Sequence, residues 1–372
     1  MLKVLEFIKN NDDWEEKLSQ PPYCIKITKD IYFGDRLCML KYNQIESDFN
    51  NEIVRECRGL IFNLVTLEPV SVPFFKFGNY GESYCPKIDW ESATIMEKID
   101  GSLIKIVKMG GNFLVSTNGT ILAHDAKLAN VLNKKFETFF DLVVEATKHL
   151  DMYSLDFKEN YTYMFELTSP YNKVVIPYND IQLSLIGIRN NQTLKEELIY
   201  NHTLSKFFNT PKQYKFKTLE DCIESAKNLP YNEEGYVVVD KNFNRVKIKS
   251  LEYVNVHHLK GEGILTFKKA LELIKNNEIE EFLTYFNDYK ENIDEIKQKY
   301  NNFIIDLEND YDYYINEFQE NDGSKKEKAM FIQQHCKYKS FIFEKLKYPD
   351  LSAKEFIDNM SINNLVQYLE KM

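Results

Sequence analysis

The residues with the clearest chemical potential lie where a lysine joins two apolar segments. Ala93–Glu97 has the composition of a strand, Asp100-Gly101 is typical of a turn, and Leu103–Val107 has the composition of a returning strand. The pattern predicts a hairpin with Lys98 at the end of its first strand. A free lysine has a pKa of about 10.4, so Lys98 can be a nucleophile only if burial and neighbouring cations release its proton. A lysine on a surface hairpin would have the same local sequence.

Two further lysines alternate with an apolar residue in Lys247-Ile248-Lys249, so on a strand both would project from one face. Two cations on one face favour an anion between them, and phosphate is the natural candidate. A solvated edge strand protected by lysines is the alternative. Glu234 precedes the β-branched run 235–239, and a loop at 240–242 predicts a hairpin that leads into the lysine strand.

A single carboxylate interrupts the apolar segment Tyr163–Leu167. A buried, unpaired carboxylate is costly, so Glu166 is expected either to be functional or to face solvent.

These segments, in this order, resemble the covalent nucleotidyltransferases, which include ATP-dependent ligases and messenger-RNA capping enzymes. Within that superfamily they are most similar to the RNA ligase 1 family, typified by the enzyme of T-even bacteriophages. The resemblance runs through most of the first 260 residues, and its motifs are specific jointly. Beyond the lysine motifs it rests on Tyr42-Asn43, Glu56–Gly59, Phe74–Phe77, Phe165-Glu166, Asn172–Val175 and Glu234–Val237.

The resemblance implies a role for each matching position. Lys98 would attack the ATP α-phosphate and become lysyl-adenylate with loss of pyrophosphate. Lys247 and Lys249 would grip the α-phosphate and neutralise the charge that develops there. The other implied roles are Arg58, Lys76 and Tyr42 for the outgoing phosphates, Glu166 for the ribose, Glu234 for the metal, Asp100 and Gly101 for the nucleophile motif, and Tyr253 as a tyrosine shortly after the lysine pair.

The chain departs from the family in one segment. Relatives carry Ser-Lys-Gly-Ser after the nucleophile motif, whereas Ser116–Thr120 has one more residue and no lysine. The missing cation bears on binding of the RNA 5′ end rather than on adenylylation of Lys98.

The implied reaction is ATP-dependent joining of RNA 5′-phosphate and 3′-hydroxyl ends through lysyl-AMP and RNA-adenylate, with cleaved tRNA as a candidate substrate. The implied metal is Mg²⁺, with Mn²⁺ as the alternative. Two other hypotheses are a capping guanylyltransferase and a catalytically inactive RNA-binding module. Capping enzymes carry a β-barrel after the paired lysines, and nothing in this sequence alternates like one, which weighs against the first hypothesis. The intact set of site residues weighs against the second.

Composition limits the other properties of the 372-residue chain. Its net charge of −10 and pI of about 5.3 predict weak RNA binding dominated by the pocket, with Lys212, Lys215, Lys217 and Lys260 as candidate outer contacts. Six scattered cysteines predict reduced thiols, and with an N-terminus that lacks a signal sequence they predict a cytoplasmic protein, in the host if viral. The chain is expected to be a monomer without membrane segments or a metal site at His257-His258.

The elements around the site predict an α+β protein. Residues 1–260 are expected to form a nucleotidyltransferase domain of antiparallel sheets flanked by helices, and 261–372 an all-α domain. Helices are predicted over 126–148 and 219–227, and strands over 161–167, 174–177 and 181–188. From 264 onward apolar residues step by threes and fours along a long helix, interrupted at Asn321–Gly323 and followed by a helix capped by Ser324.

Overall fold

The computed structural model describes residues 2–44, 46–128, 135–259, 265–319 and 324–370. The chain divides into two compact units, Met1–Gly261 and Glu262–Met372. The first unit mixes antiparallel strands with short helices and the second is helical, so the predicted α+β class is confirmed.

The elements of the first unit are mostly short. Its strands are β1 Ile25–Tyr32, β2 Asp35–Tyr42, β3 Arg58–Asn63, β4 Pro69–Ser71, β5 Thr94–Glu97, β6 Ser102–Met109, β7 Asn112–Thr117, β8 Tyr161–Thr168, β9 Gln182–Asn190, β10 Glu196–Glu197, β11 Gln213–Tyr214, β12 Gly235–Val239 and β13 Arg245–Lys249. Its helices are α1 Lys3–Lys9, α2 Trp14–Ser19, α3 Glu52–Glu56, α4 Phe139–Thr147, α5 Leu219–Lys227 and α6 Leu251–Leu259.

The strands form three sheets in which every named pairing is antiparallel. Sheet I has the order β1-β2-β3-β4, sheet II the order β10-β9-β8-β6-β7, and sheet III the order β11-β5-β12-β13. Sheets I and II share a layer of buried apolar side chains that includes Met39, Ile61 and Val107. Helix α5 covers sheet III through Cys222 and Ala226. Sheets I and II are thus packed against each other, and sheet III has a core of its own with α5.

The predicted hairpin around Lys98 is wrong, because β5 and β6 lie in different sheets. The Lys98 N–H donates to the Gly235 carbonyl, so the segment still follows sheet III, whereas Ser102 pairs with Leu167 in sheet II. Ile95 packs under α5 while Ile104 joins the core of sheet II, and these separate apolar environments keep the two strands apart. The Asp100-Gly101 segment is therefore a crossover between sheets.

The other local predictions had mixed outcomes. The strands predicted over 161–167 and 181–188, the helix over 219–227 and the β12–β13 hairpin are confirmed. The helix predicted over 126–148 is reduced to α4, because Thr138 caps its start in a capping box with Asp141. Residues 129–134 of that prediction, including Val131 and Leu132, lie outside the described residues. No strand forms over 174–177 among the described residues, because the N–H groups of 175 and 176 donate to the Asp100 carboxylate.

The second unit is all-helical, as predicted. Its helices are α7 Phe267–Lys275, α8 Ile279–Tyr285, α9 Lys290–Gln319, α10 Lys325–His335, α11 Lys339–Lys347, α12 Ala353–Asn359 and α13 Ile362–Leu369. The predicted stripe on α9 is buried at Tyr300, Phe303 and Leu307, and Ser324 caps α10 as expected. The side chain of Phe318, the break at 321–323 and the segment 260–263 lie outside the described residues.

Two expectations about the whole chain concern membranes and thiols. Within the described ranges, none of the helices has both the length and the apolar character that a membrane span requires. The six cysteines are free, as predicted.

Candidate active site

A cavity of about 480 Å³ opens where the three sheets meet. Sheet III contributes the strand ends around Lys98 and Lys247, sheet II contributes Glu166, and sheet I contributes Arg58. The residues named from the sequence that line this cavity are Tyr42, Arg58, Lys76, Lys98, Gly101, Glu166, Lys247 and Lys249. The fold therefore brings into one cavity side chains that are far apart in the sequence.

Glu234 lies between two of the lysines. Its Oε2 is 2.7 Å from Lys98 Nζ and its Oε1 is 3.8 Å from Lys249 Nζ. The carboxylate is only 4% exposed, so both attractions act where water screens them poorly. The sequence argument expected cations around Lys98, whereas the nearest charged partner in the structure is a carboxylate. In this structure Glu234 is therefore the ion-pair partner that fixes the position of Lys98 Nζ.

Strand β13 presents its basic residues in strict alternation. Arg245, Lys247 and Lys249 all line the cavity, because alternate residues of a strand share one face. The position of Lys247 is set by its backbone, whose N–H donates to the Gly78 carbonyl and whose carbonyl accepts from the Tyr80 N–H, at 2.9 and 2.8 Å. The chain after Phe77 thus holds the lysine strand in register.

Three cations of the cavity, Arg58, Lys76 and Lys247, lie near aromatic rings. The Lys76 ammonium lies 5.4 Å from the centre of the Tyr42 ring. The Phe77 ring stands between Arg58, at 5.4 Å, and Lys247, at 5.9 Å. Cation–π contacts at these distances stabilise a charged side chain without neutralising it. Arg58 Nη1 is buried and makes no hydrogen bond within the described structure, so it has a donor to offer a ligand.

Asp100 and Tyr253 do not line the cavity but fix the crossover behind it. The Tyr253 hydroxyl donates to Asp100 Oδ1 at 2.9 Å, and the N–H groups of Val175 and Ile176 donate to Oδ2 at 2.9 and 2.8 Å. Asp100 is 5% exposed and fully engaged as an acceptor. A Cβ on Gly101 would lie 2.4 Å from the Leu167 carbonyl oxygen, so glycine is required by close approach. Asp100 and Tyr253 thus hold the crossover that follows Lys98, and Gly101 lies where this crossover reaches the cavity wall.

Glu166 is a half-buried acid in the cavity wall. Burial raises its pKa to about 7, against the opposing effect of the Lys98 charge and with a further increase from Glu234. Near neutral pH this carboxyl is therefore divided between its acid and its anion, and the acid form can donate a hydrogen bond.

Sequence reasoning missed several residues at the cavity. Phe77 follows Lys76 directly, and Arg245 continues the Lys247–Lys249 alternation by one step, so both were visible as patterns. Arg245 also forms a buried ion-paired group with Glu196 and Arg189, from both of which it is distant in sequence. Burial raises the pKa of Glu196, but the two guanidiniums outweigh it and the pKa lies below its ordinary value.

The donor set suits a divalent ion held mainly by a ligand's phosphates. The described residues contain no group of three or more His, Cys, Asp or Glu arranged to hold a metal. Glu234 Oε2 is buried without a hydrogen-bond donor of acceptable geometry, and a carboxylate oxygen is a ligand that Mg²⁺ and Mn²⁺ accept. One protein carboxylate with phosphates and water is a typical Mg²⁺ arrangement. The side chains of His257 and His258 lie outside the description.

The candidate outer contacts are less distinctive. Lys212, Lys215 and Lys217 are exposed on the segment that contains β11, and only Pro211 of that neighbourhood reaches the cavity wall. Lys260 lies outside the described residues.

The chain is similar to known proteins over much of its length. A family model described as RNA ligase matches residues 56–253, a range that contains Lys98, Glu166, Glu234 and both lysines of β13. A protein of Autographa californica nuclear polyhedrosis virus, named as a bifunctional polynucleotide kinase/RNA ligase, is 36% identical over 275 residues, covering 68% of this chain and 38% of that protein. A protein of Thermovibrio ammonificans named as an RNA ligase is 31% identical over 231 residues, covering 56% of this chain and 55% of its own length.

The chain spans less than two thirds of the length of these two relatives. An RNA ligase of Rhodothermus phage RM378 is 24% identical over 357 residues, covering 77% of this chain and 78% of the phage protein. Among solved structures, an archaeal ATP-dependent RNA ligase superposes with a TM-score of 0.46 and 11% identity, over 79% of this chain and 78% of that one.

Proposed function

The chain belongs to the RNA ligase family, and from this we propose that it joins RNA ends in an ATP-dependent reaction through a nucleotide bound covalently to Lys98. The observation that carries the proposal is the shared cavity of Lys98, Lys247 and Lys249. A nucleophilic amine there faces two cations able to hold the phosphate it would attack. Positioning and charge neutralisation are the main contributions a protein makes to such a transfer.

In the proposed first step the Lys98 amine attacks the α-phosphorus of ATP. The new N–P bond replaces the bond between the α-phosphorus and the β-phosphate oxygen, and pyrophosphate leaves. The neutral amine releases one proton to water and keeps the other as the N–H of the phosphoramidate. Lys247 and Lys249 would neutralise the oxygens of the α-phosphate, and Arg58 and Lys76 would hold the departing phosphates, with Tyr42 beneath Lys76. Glu166 would bind the ribose.

Glu234 gives the first step a control point. Its Oε2 contacts Lys98 Nζ at 2.7 Å, so the carboxylate has to turn to another partner before Lys98 is free to attack. A divalent ion, Mg²⁺ or Mn²⁺, held by Glu234 and the ATP phosphates would supply positive charge at those phosphates. Lys247 and Lys249 line the same cavity as Lys98 and would hold the phosphate that it attacks.

The second and third steps would follow at the same cavity. AMP passes from Lys98 to a 5′-phosphate of RNA, and a 3′-hydroxyl of RNA then displaces AMP and forms the phosphodiester. Cleaved tRNA is the substrate class we propose, because it presents two RNA ends for joining. With a net charge of −10, the protein is expected to bind RNA mainly through these ends.

We also assign the two units different tasks in this proposal. The residues of the candidate site lie between 42 and 253, so the first unit would carry the adenylyltransferase chemistry of a monomer. The helical unit would select the RNA. The free cysteines suit a reducing compartment such as the cytoplasm.

Labelling of the protein tests the first step. Wild-type protein is incubated with α-³²P-labelled ATP or GTP and Mg²⁺ or Mn²⁺, and the denatured protein is then exposed to acid or alkali. A label from ATP that survives alkali and is lost in acid is expected, as for a lysine phosphoramidate. A label from GTP alone would instead indicate a capping guanylyltransferase. The absence of any label with either metal would indicate an inactive RNA-binding module.

Substitution of the nucleophile separates the steps. Lys98→Ala should abolish the label yet still seal RNA that carries a pre-adenylylated 5′ end, because the last step needs no lysyl-AMP. Lys87→Ala, a change of an exposed lysine outside the cavity, is the matched control and should label normally. A labelled Lys98→Ala protein would contradict the assignment of the nucleophile.

A further inference from the structure

Strand β6 carries a buried lysine that the proposed steps do not use. Lys105 is fully buried between sheets I and II, on the β6 face that also bears Leu103 and Val107. Leu103 lines the cavity and Val107 belongs to the apolar layer, so Lys105 lies one step inward from the cavity wall. A position of this kind is normally apolar.

The Lys105 ammonium has little to compensate its charge. It donates to the Gly59 carbonyl, and within the described residues it forms no ion pair. Its register partners on β7 and β8, Ser116 and Met164, are uncharged. The charged group that acts on it from sheet I is Arg58, which begins β3.

Burial and, to a lesser extent, the positive charge of Arg58 together lower the pKa of Lys105 to about 7. Near neutral pH the amine is therefore divided between its neutral and charged forms. A negative charge placed nearby would draw a proton onto it.

The structure connects Lys105 directly to a wall of the cavity. A Cβ built on Gly59 would lie 3.2 Å from Lys105 Nζ, 3.2 Å from Asn118 Oδ1 and 2.8 Å from the Asn118 carbonyl oxygen. Gly59 adopts a φ of +76°, so both its conformation and its surroundings require glycine. Arg58 and Asn118 both line the cavity, and Lys105 lies behind them.

Two polar atoms of this wall have no partner. Arg58 Nη1 and Asn118 Oδ1 are buried without a hydrogen bond among the described residues. Buried polar groups are normally paired, so a ligand with both acceptor and donor atoms is the natural partner. Phosphoryl oxygens beside a hydroxyl group or bound water meet that requirement.

We propose that Lys105 is a positioning residue for phosphate at the Arg58–Asn118 wall, supplying from β6 the positive charge that the Ser116–Thr120 segment lacks. The assignment rests on the proposed ligase function. Lys105 would hold Gly59 and the Arg58 backbone in place. Its positive charge would also attract the phosphate across the wall formed by Arg58, Gly59 and Asn118. The phosphate is either the tail of ATP or the 5′-phosphate of RNA.

The main test is the pH dependence of KM in two assays. The rate of labelling with ATP gives the KM for the triphosphate. The rate of AMP transfer from pre-labelled enzyme to 5′-phosphorylated RNA gives the KM for the RNA 5′ end. In the wild type, KM in one assay should rise about three- to tenfold between pH 6 and pH 9, as Lys105 loses its proton. Lys105→Met should have the high KM throughout and a flat profile, with kcat little changed. If KM for ATP depends on pH, the phosphate is the tail of ATP; if KM for RNA does, it is the 5′-phosphate of RNA.

Three further variants make the test specific. Lys105→Arg keeps a charge at every pH and should keep the low KM with a flat profile. Lys105→Met combined with Asn118→Lys moves the cation to the segment that lacks one and should restore the low KM. Lys41→Met is the control, because a Cβ on Gly119 would lie 3.2 Å from the Lys41 ammonium at the same wall. Lys41→Met should keep the wild-type pH profile.

Methionine matches the lysine stem in length. Removal of the buried charge offsets loss of the hydrogen bond to the Gly59 carbonyl, so Lys105→Met should fold with a Tm close to that of the wild type. Proton uptake on pyrophosphate binding, measured by calorimetry in two buffers, provides a readout that needs no ligation. The wild type should take up a fraction of a proton at pH 8 and Lys105→Met should not. A wild-type pH profile and proton uptake in Lys105→Met, or their loss in Lys41→Met instead, would overturn the proposal. Failure of the wild type to ligate would instead refute the ligase function.

Discussion

The raised pKa of Glu166 predicts how the stability of the first unit changes with pH. The ordinary pKa of this carboxyl is 4.5, and burial raises it to about 7 in the folded protein. Between these values the folded state holds a proton that the unfolded state has lost. Stability contributed by this group is therefore lost as the pH rises from about 4.5 to 7, and it stays low above pH 7.

Glu166→Gln isolates the contribution of that proton. The amide is similar in size to the protonated acid and does not titrate, so the variant lacks this loss of stability. The free energy of unfolding of the variant relative to wild type should rise by about 1.4 kcal/mol per pH unit through the window, to about 3.4 kcal/mol at most. The cavity gives the side chain some access to water, so the full value is an upper limit.

Urea unfolding without ligands, at constant ionic strength and several pH values from 4.5 to 8.5, measures the difference. Both tryptophans, Trp14 and Trp90, belong to the first unit, so their fluorescence reports its unfolding. Glu68→Gln removes an exposed carboxylate of the same unit and should give a curve parallel to wild type. A constant difference between Glu166→Gln and wild type across the whole range would refute the reasoning.

The remaining predictions concern buried polar groups that hold the site together. Tyr253→Phe should cost about 1–2 kcal/mol of unfolding free energy and Asp100→Asn about 2–4 kcal/mol, because the buried carboxylate is the shared acceptor. A double-mutant cycle should show coupling between them, and additive losses would contradict a direct hydrogen bond. Glu196→Gln should cost about 3–5 kcal/mol in urea unfolding, because two buried guanidiniums lose their counter-charge. A change below about 1 kcal/mol would mean that Arg189 and Arg245 are neutralised in another way.

The local pattern of the sequence predicted much of the element content. Alternation of Lys247 and Lys249 predicted a strand, and the capping residue Thr218 with an apolar face agrees with the helix found over 219–227. The long apolar stripe predicted the helical second unit. Such features depend on neighbours only a few residues away, and the printed sequence contains them.

The pattern predicted the pairing of β12 with β13 but not the sheet to which β5 and β6 belong. The turn-like Asp100-Gly101 predicted a hairpin, yet β5 and β6 join separate sheets. The deciding factor is where each apolar face is buried, and those partners come from α5 and from β8, far along the chain. The helix predicted over 126–148 was too long for a different, local reason, because the capping box of Thr138 and Asp141 sets its start.

The composition of the site follows from the sequence, and its electrostatics follow from the fold. Residue types and order alone identified Lys98, Glu166 and Glu234 as chemically distinctive. Only the tertiary structure brings Glu234 to within 2.7 Å of Lys98 and places Lys105 beneath the Arg58 wall. Charge interactions depend on distance and on exclusion of water, and both are created when sheets from distant parts of the chain pack together.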